Sequence, residues 1–322
     1  MMKPKILILT SLTLLLAFAT WFYYGKIPTE QKPKKRQLPA SFKLGNVNQC
    51  RKIPEFVADL SMQQPAIDSK QQGHSGGLLI RDIGQSGRVW QHPSWTQSGY
   101  IGGFDRDHLG NIYVLPLPYV SLSKNPPAKQ NRIYKIDGKT AQMSLFMELP
   151  YQTTPSEKNP FGTMALFFDC DTRSLYVSSV AGSSATKQQG VIYQIDVKQK
   201  KIVSKYPNID AVGLGVFNTL KGKKLYFGLA RKPHIYSVYL DEQGRFASKK
   251  YYEFSLSQIQ GGDSTVVKKI QFKKAAQKFI MLVKEMEFGF RLLAETNPYR
   301  KKYSFQYQLS QDQWQFLYSS QD

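Results

Sequence analysis

The sequence predicts an all-β fold, a β-propeller of five visible four-stranded blades with room for a sixth, preceded by one N-terminal membrane helix. Three observations carry the propeller. A strand–turn–strand–loop–strand phrase recurs along the chain, 13% aromatic residues and 23 glycines suit many short strands and tight turns, and no long amphipathic helical stretch competes. Units that cannot bury both faces alone must stack on their neighbours, so four strands per unit reads as a blade.

The elements follow in chain order. Residues 1–25 carry Lys3 and Lys5 ahead of an uncharged run from Ile6 to Tyr24, long enough to span a bilayer at about 1.5 Å per residue. Trp21, Phe22, Tyr23 and Tyr24 extend it as an interfacial belt, which favours a retained anchor over a signal peptide cleaved after Ala19. Lys26, Lys32, Lys34, Lys35 and Arg36 on its far side argue against export. The short basic start running straight into the apolar stretch argues for it. The expectation is an anchored, extracytoplasmic propeller, secreted if the signal is cleaved; a cytoplasm-facing propeller is the rival. Residues 26–41 form a basic, proline-containing linker that reads as a solvated tether.

The propeller domain is assigned to 42–322. Its start is the least patterned part, with a strand expected over Glu55–Met62 and a polar loop over Gln63–Gly77, together the first two strands of the first blade. Leu78–Trp90 supplies the last two. The second blade is the clearest: GFDRDHLGNIYVL at Gly103–Leu115 is answered by RIYKID at Arg132–Asp137. The phrase returns as FFDCDTRSLYV and IYQID from Phe167 and Ile192, and as VFNTLKGKKLYF and IYSVYLD from Val216 and Ile235. A weaker copy follows as QFKKAAQKFIM and FQYQLSQDQWQF from Gln271 and Phe305. The third strands align on Ile80, Tyr134, Tyr193, Tyr236 and Gln306; a sixth blade would have to hide in the last, longest interval or in 42–77. Because the last hairpin ends near Tyr318, ring closure is expected to join it to the sheet near Phe42.

Two cysteines, Cys50 and Cys170, are too few for a disulfide scaffold or a zinc site. They could pair in an exported domain, but they fall two blades apart and are expected as free thiols. The formal charge is +21, and about +15 remains after the first forty residues. Such a balance attracts lipid headgroups, acidic glycans or acidic proteins; nucleic acid is not the partner expected.

These blades look like those of the six-bladed propellers that include NHL-repeat, strictosidine-synthase-like and gluconolactonase-like proteins, over about Gly99 to Tyr318, by blade grammar alone. For the lactonases the resemblance implies a divalent metal near the ring axis, held by Glu, Asn and Asp. The corresponding positions here, five before the turn residues Asp105, Asp169, Asn218 and Lys273, are Tyr100, Met164, Gly213 and Lys268, none a hard-cation ligand. No metal or cofactor is therefore expected. Nine before Phe104, Phe168, Phe217 and Phe272 fall Trp95, Asn159, Asn208 and Asp263, candidates for lining the ring mouth, although Asn and Asp at such places usually make turns. Asp105, Asp107, Asp169, Asp171, Asp196 and Asp241 read as turn-makers in the same way. His74, His92, His108 and His234 share no repeated spacing.

The informative asymmetry lies between the two faces of the disc. Loops joining second to third strands share one face and carry Lys124, Lys129, Arg132, Lys187, Arg231, Lys232, Arg300, Lys301 and Lys302, with Tyr119, Tyr151 and Tyr299 nearby and Glu295 as the one acid. The other face mixes its cations with the Asp turns. A single-signed rim suits an anionic partner, so the expected function is a binding or scaffold module. The alternative is a lactonase-like hydrolase acting on a small anion in an axial pocket.

Overall fold

Short apolar runs and, in the outer positions, mixed apolar and polar residues form strands from Gly45 to Gln321 in the computed structural model, which describes residues 42–69, 76–85, 87–118, 122–151, 153–259, 265–292 and 300–321. Strand β1 is Gly45–Asn46. Among the described residues the first blade has three strands, β2 (Pro65–Asp68), β3 (Leu79–Asp82) and β4 (Val89–Trp90), paired in that order. The second has β5 (Ile101–Arg106), β6 (Ile112–Pro116), β7 (Arg132–Ile136) and β8 (Met143–Glu148). The third has β9 (Thr163–Asp169), β10 (Ser174–Ser179), β11 (Val191–Asp196) and β12 (Lys201–Pro207). The fourth has β13 (Ala211–Thr219), β14 (Gly222–Leu229), β15 (His234–Leu240) and β16 (Phe246–Ser255). The fifth has β17 (Val266–Ala275), β18 (Lys278–Met286), β19 (Lys301–Gln308) and β20 (Gln313–Gln321). All pairings are antiparallel meanders, so the fold is an all-β propeller of five blades, and the six-bladed count implied by the resemblance does not hold.

The blades hold together through shared apolar layers. Trp95 and Ile112 centre the layer between blades one and two, Phe168 and Tyr193 that between two and three. Tyr176 and Phe227 centre the third, and Phe217 and Tyr303 the fourth. Among the described residues no such cluster joins the fifth blade to the first. Where β13 meets β17 the backbones touch: a Cβ at Gly213 would stand 2.6 Å from the Val267 carbonyl oxygen, so only glycine admits this approach.

The segment 42–54 is a strap laid across the ends of the inner strands. It starts on the fourth blade, where Gly45 and Asn46 pair with Asn218 and Phe217, and there the Gly45 backbone lies against Phe279 of the fifth. It continues to the third, where the Cys170 amide donates to the Val47 carbonyl at 2.9 Å. It reaches the second when the Lys52 amide donates to Asp107 and the Phe56 amide to Gly138, both at 3.1 Å. From there it becomes the first blade. The strap thus ties five blades whose ends are not joined by a shared sheet.

Three expectations are corrected by this path. Cys50 and Cys170 are a disulfide with Cα atoms 5.7 Å apart, because a strap that crosses the ring cancels the separation of two blades. Ring closure does not join the last hairpin to the stretch near Phe42; among the described residues β20 pairs with β19 alone and forms an outer edge, while 45–46 adds to β13. Glu55–Leu60 is a 3-10 helix burying Phe56 and Val57, and the first-blade strand lies at Pro65–Asp68, inside the stretch expected as loop. The membrane helix expected over 1–25 and the linker 26–41 lie outside the described residues; among those described, no helix is long and apolar enough to cross a membrane.

Candidate functional site on the loop face

Topology places the loops β6–β7, β10–β11, β14–β15 and β18–β19 on one face, with the connections between blades. Their cations divide into two groups. Lys124, Lys129 and Lys232 are exposed, Lys124 with its ammonium 5.5 Å from the centre of the Tyr100 ring and Lys129 at the end of a 3-10 helix, Pro127–Lys129. Lys187 and Lys302 are also exposed, and Arg300 and Lys301 half-buried. Arg132 pairs with Glu148 at 3.0 Å.

Arg231 has a different duty. Its guanidinium pairs with the buried Asp210 and donates to the carbonyls of Ser184, Lys187 and Ala185, and its plane lies 4.6 Å from the centre of the Phe290 ring. It therefore fastens the third-blade loop to the fourth. Sequence gave it the same standing as Lys232; only the buried partner Asp210 distinguishes them.

Beneath this face the inner strands begin on apolar residues. Phe161, Met164, Val212, Val266 and Phe290 form a buried cluster with Leu117 and Phe288 packed on it, drawing on blades two to five. A cavity of about 560 Å³ opens beside it, lined by Lys158, Arg291, Ser184, Glu287 and Phe288 among others. On the fifth blade Lys269, Lys284 and Lys302 stand in register across three strands. Lys268 next to them has its pKa lowered to about 8, first by burial and then by Arg300, Lys284 and Lys269. Positive charge is thus concentrated where the fifth blade meets the loop face.

The four ring-mouth candidates do not converge on a site. Trp95 is fully buried between the first two blades, its indole donating to the Ala141 carbonyl at 2.7 Å. Asn159 is a loop staple: its amide donates to Val180 and Ser183 at 3.0 and 2.8 Å and its oxygen accepts from Phe161. Asn208 turns the chain with φ of 58°. Asp263, like His74, Tyr119, Glu295 and Tyr299, lies outside the described residues.

On the opposite face some acidic residues only make their turns, while Asp105, Asp169 and Asp171 also reach across blades. Asp107 accepts from the amides of Leu109 and Asn111 at 2.8 and 3.0 Å, and Asp241 from those of Gln243 and Arg245. Asp105 instead bridges blades: it pairs with Arg51 of the strap at 2.6 Å and accepts from the Phe168 amide of the next blade. Burial raises its pKa, opposed by Arg51, and burial likewise lowers that of Arg51. Lys223 is fully buried, its ammonium 2.8 Å from Asp169 and Asp171 and 4.6 Å from the centre of the Phe42 ring. Lys224 pairs with Glu253 at 2.8 Å. Among the described residues no group of three or more His, Cys, Asp or Glu is placed to hold a metal ion.

No protein-family model matches this chain, and no curated protein matches it by sequence. Among solved structures it is similar to a luciferin-regenerating enzyme, with a TM-score of 0.40 and 12% identity over 87% of this chain and 80% of that one. It is also similar to the Dos1 propeller, with a TM-score of 0.34 and 11% identity over 73% and 75% of the two chains. At these identities neither likeness bears on activity.

Proposed function

We propose that this propeller is a binding module that docks on an anionic surface through its loop face, held at a membrane in an extracytoplasmic compartment by residues 1–25. The observation that carries the reading is the concentration of Lys268, Lys269, Lys284, Arg300 and Lys302 where the fifth blade meets the loop face, beside the apolar cluster of Phe161, Met164, Val266 and Phe290. The cations of the loop face serve an outward partner. The open cavity between Lys158 and Arg291 gives that face a concave, positively charged floor. The Cys50–Cys170 disulfide supports an oxidising compartment, and the uncharged run Ile6–Tyr24 supports the tether.

The test uses exposed cations only, because Arg231 and Lys223 have structural partners. Replacing Lys129, Lys158, Lys232, Arg291 and Lys302 with Gln should leave the thermal midpoint within a few degrees, since exposed changes usually cost within about 0.5 kcal/mol each. Cosedimentation with phosphatidylserine vesicles at about 0.1 M salt should fall at least tenfold, the charges acting together within a Debye length of about 10 Å. A matched set on the other face, Lys139, Lys198, Lys201, Lys273 and Lys274, should lose much less, because Asp turns offset it. Equal losses would show that net charge alone attracts the partner, and no loss from either would end the docking reading.

A further inference from the structure

A second cavity lies away from the loop face, between the first two blades and the strap. It holds about 360 Å³ and is lined by Ile53, Pro54, Val57, Pro65, Ala66, Ile67, Ile80, Phe104 and Arg106. Its floor is rigid core, with Ile80 fully buried and Val57 6% exposed. Its lip is Ile53, an isoleucine left 66% exposed with nothing in the described chain covering it. Eight apolar side chains and one cation is an unusual lining for a crevice on so basic a protein.

Arg106 is half-buried and has no ion-pair partner among the described residues. Asp105, its neighbour in sequence, acts on it electrostatically but makes no ion pair with it, being engaged by Arg51 at 2.6 Å and by the amides of Phe168 and Arg106. Asp107 is likewise taken up by its own turn and by Tyr113. Arg51 and Arg106 are matched in number by Asp105 and Asp107, but among the described residues the Arg106 guanidinium makes no ion pair of its own, and a guanidinium at an apolar wall is suited to a planar, bidentate oxyanion. Mostly apolar pockets of a few hundred cubic ångströms with one or two placed polar groups are the usual form of small-molecule sites.

We propose that this cavity binds a small amphipathic carboxylate, its carboxylate held by Arg106 and its hydrocarbon or aromatic body packed against Val57, Ile67, Ile80 and Phe104. The site is independent of the loop face and of whatever docks there. Because Trp90 and Trp95 belong to the same core as Val57 and Ile80, ligand entry has a built-in optical signal.

The experiment titrates the full, oxidised chain with octanoate, octylammonium and octanol, each below its aggregation concentration, following tryptophan fluorescence and the thermal midpoint. Octanoate is expected to saturate in the micromolar to low millimolar range and to raise the midpoint; octylammonium should do neither, and octanol should bind at least tenfold more weakly. Arg106→Gln should bring octanoate down to the octanol level, and Ala66→Trp should block both by filling the cavity. Equal responses to octanoate and octylammonium, or saturation by octanoate unchanged in a folded Arg106→Gln chain, would overturn the proposal. The comparison of the three ligands on the unaltered chain decides the matter even if a variant fails to fold.

Discussion

Lys268 shows most directly what crowded charge does in this fold. Its pKa drops from the ordinary 10.5 to about 8, so between those values the unfolded chain binds a proton that the folded chain does not. Stability therefore rises with pH across that window, and the full penalty for the charged ammonium is present at pH 7. Lys268→Met should raise stability at pH 7 by about 1 to 2 kcal/mol, allowing for the exposure the side chain keeps, and the advantage should vanish near pH 10.5. Urea unfolding of both chains at the two pH values checks this. At this scale sequence told the charge of each residue but not its company. Asp105 reads like the other turn aspartates, and Lys223 and Arg231 read like surface cations, because the groups that bury them come from other blades or the strap.

At the scale of elements, legibility followed the periodicity. Short, continuously buried strands that follow an Asp, Asn or Gly turn, such as β6, β10 and β14, stand where the repeated phrase put them. The strap had no such signal: its partners are 120 residues away at Cys170 and 175 away at Asn218, so no local pattern announces it. The strand expected over Glu55–Met62 is instead a 3-10 helix at Glu55–Leu60, because its buried pair, Phe56 and Val57, is too short to fix a period. The strap also contains its own weak point. Gly45 has φ of +127°, and a Cβ there would stand 2.7 Å from the Phe279 ring. Gly45→Ala should cost about 2 to 3 kcal/mol, combining backbone strain with overpacking, and should raise the hydrogen exchange of the Asn46 and Cys170 amides above that of the outer strands.

For the whole molecule, the repeat told the architecture and the number of readable blades, while the closure of the ring was invisible because it is made by a non-repeating segment. The disulfide encloses a separation of 120 residues, comprising the first two blades and the start of the third. Closing a loop of that size is worth about 4 to 5 kcal/mol by chain entropy, and cysteine removal in practice about 2 to 5. Replacing Cys50 and Cys170 together with Ser should lower the denaturant midpoint accordingly, and reduction of the natural chain should reproduce the shift. The β14–β15 hairpin should keep its exchange protection in both, since its pairing does not involve the strap.

The strap also sets an order in time. Lys43 accepts its hydrogen bond from Asn218, 175 residues later in synthesis, which at about 5 to 20 residues per second is a wait on the order of ten to thirty seconds. The head of the domain must stay unplaced while three blades are made behind it, and can settle only when the fourth has emerged. Each new blade packs on the one before, so the part made first is among the last to be seated, and its docking marks the domain as finished.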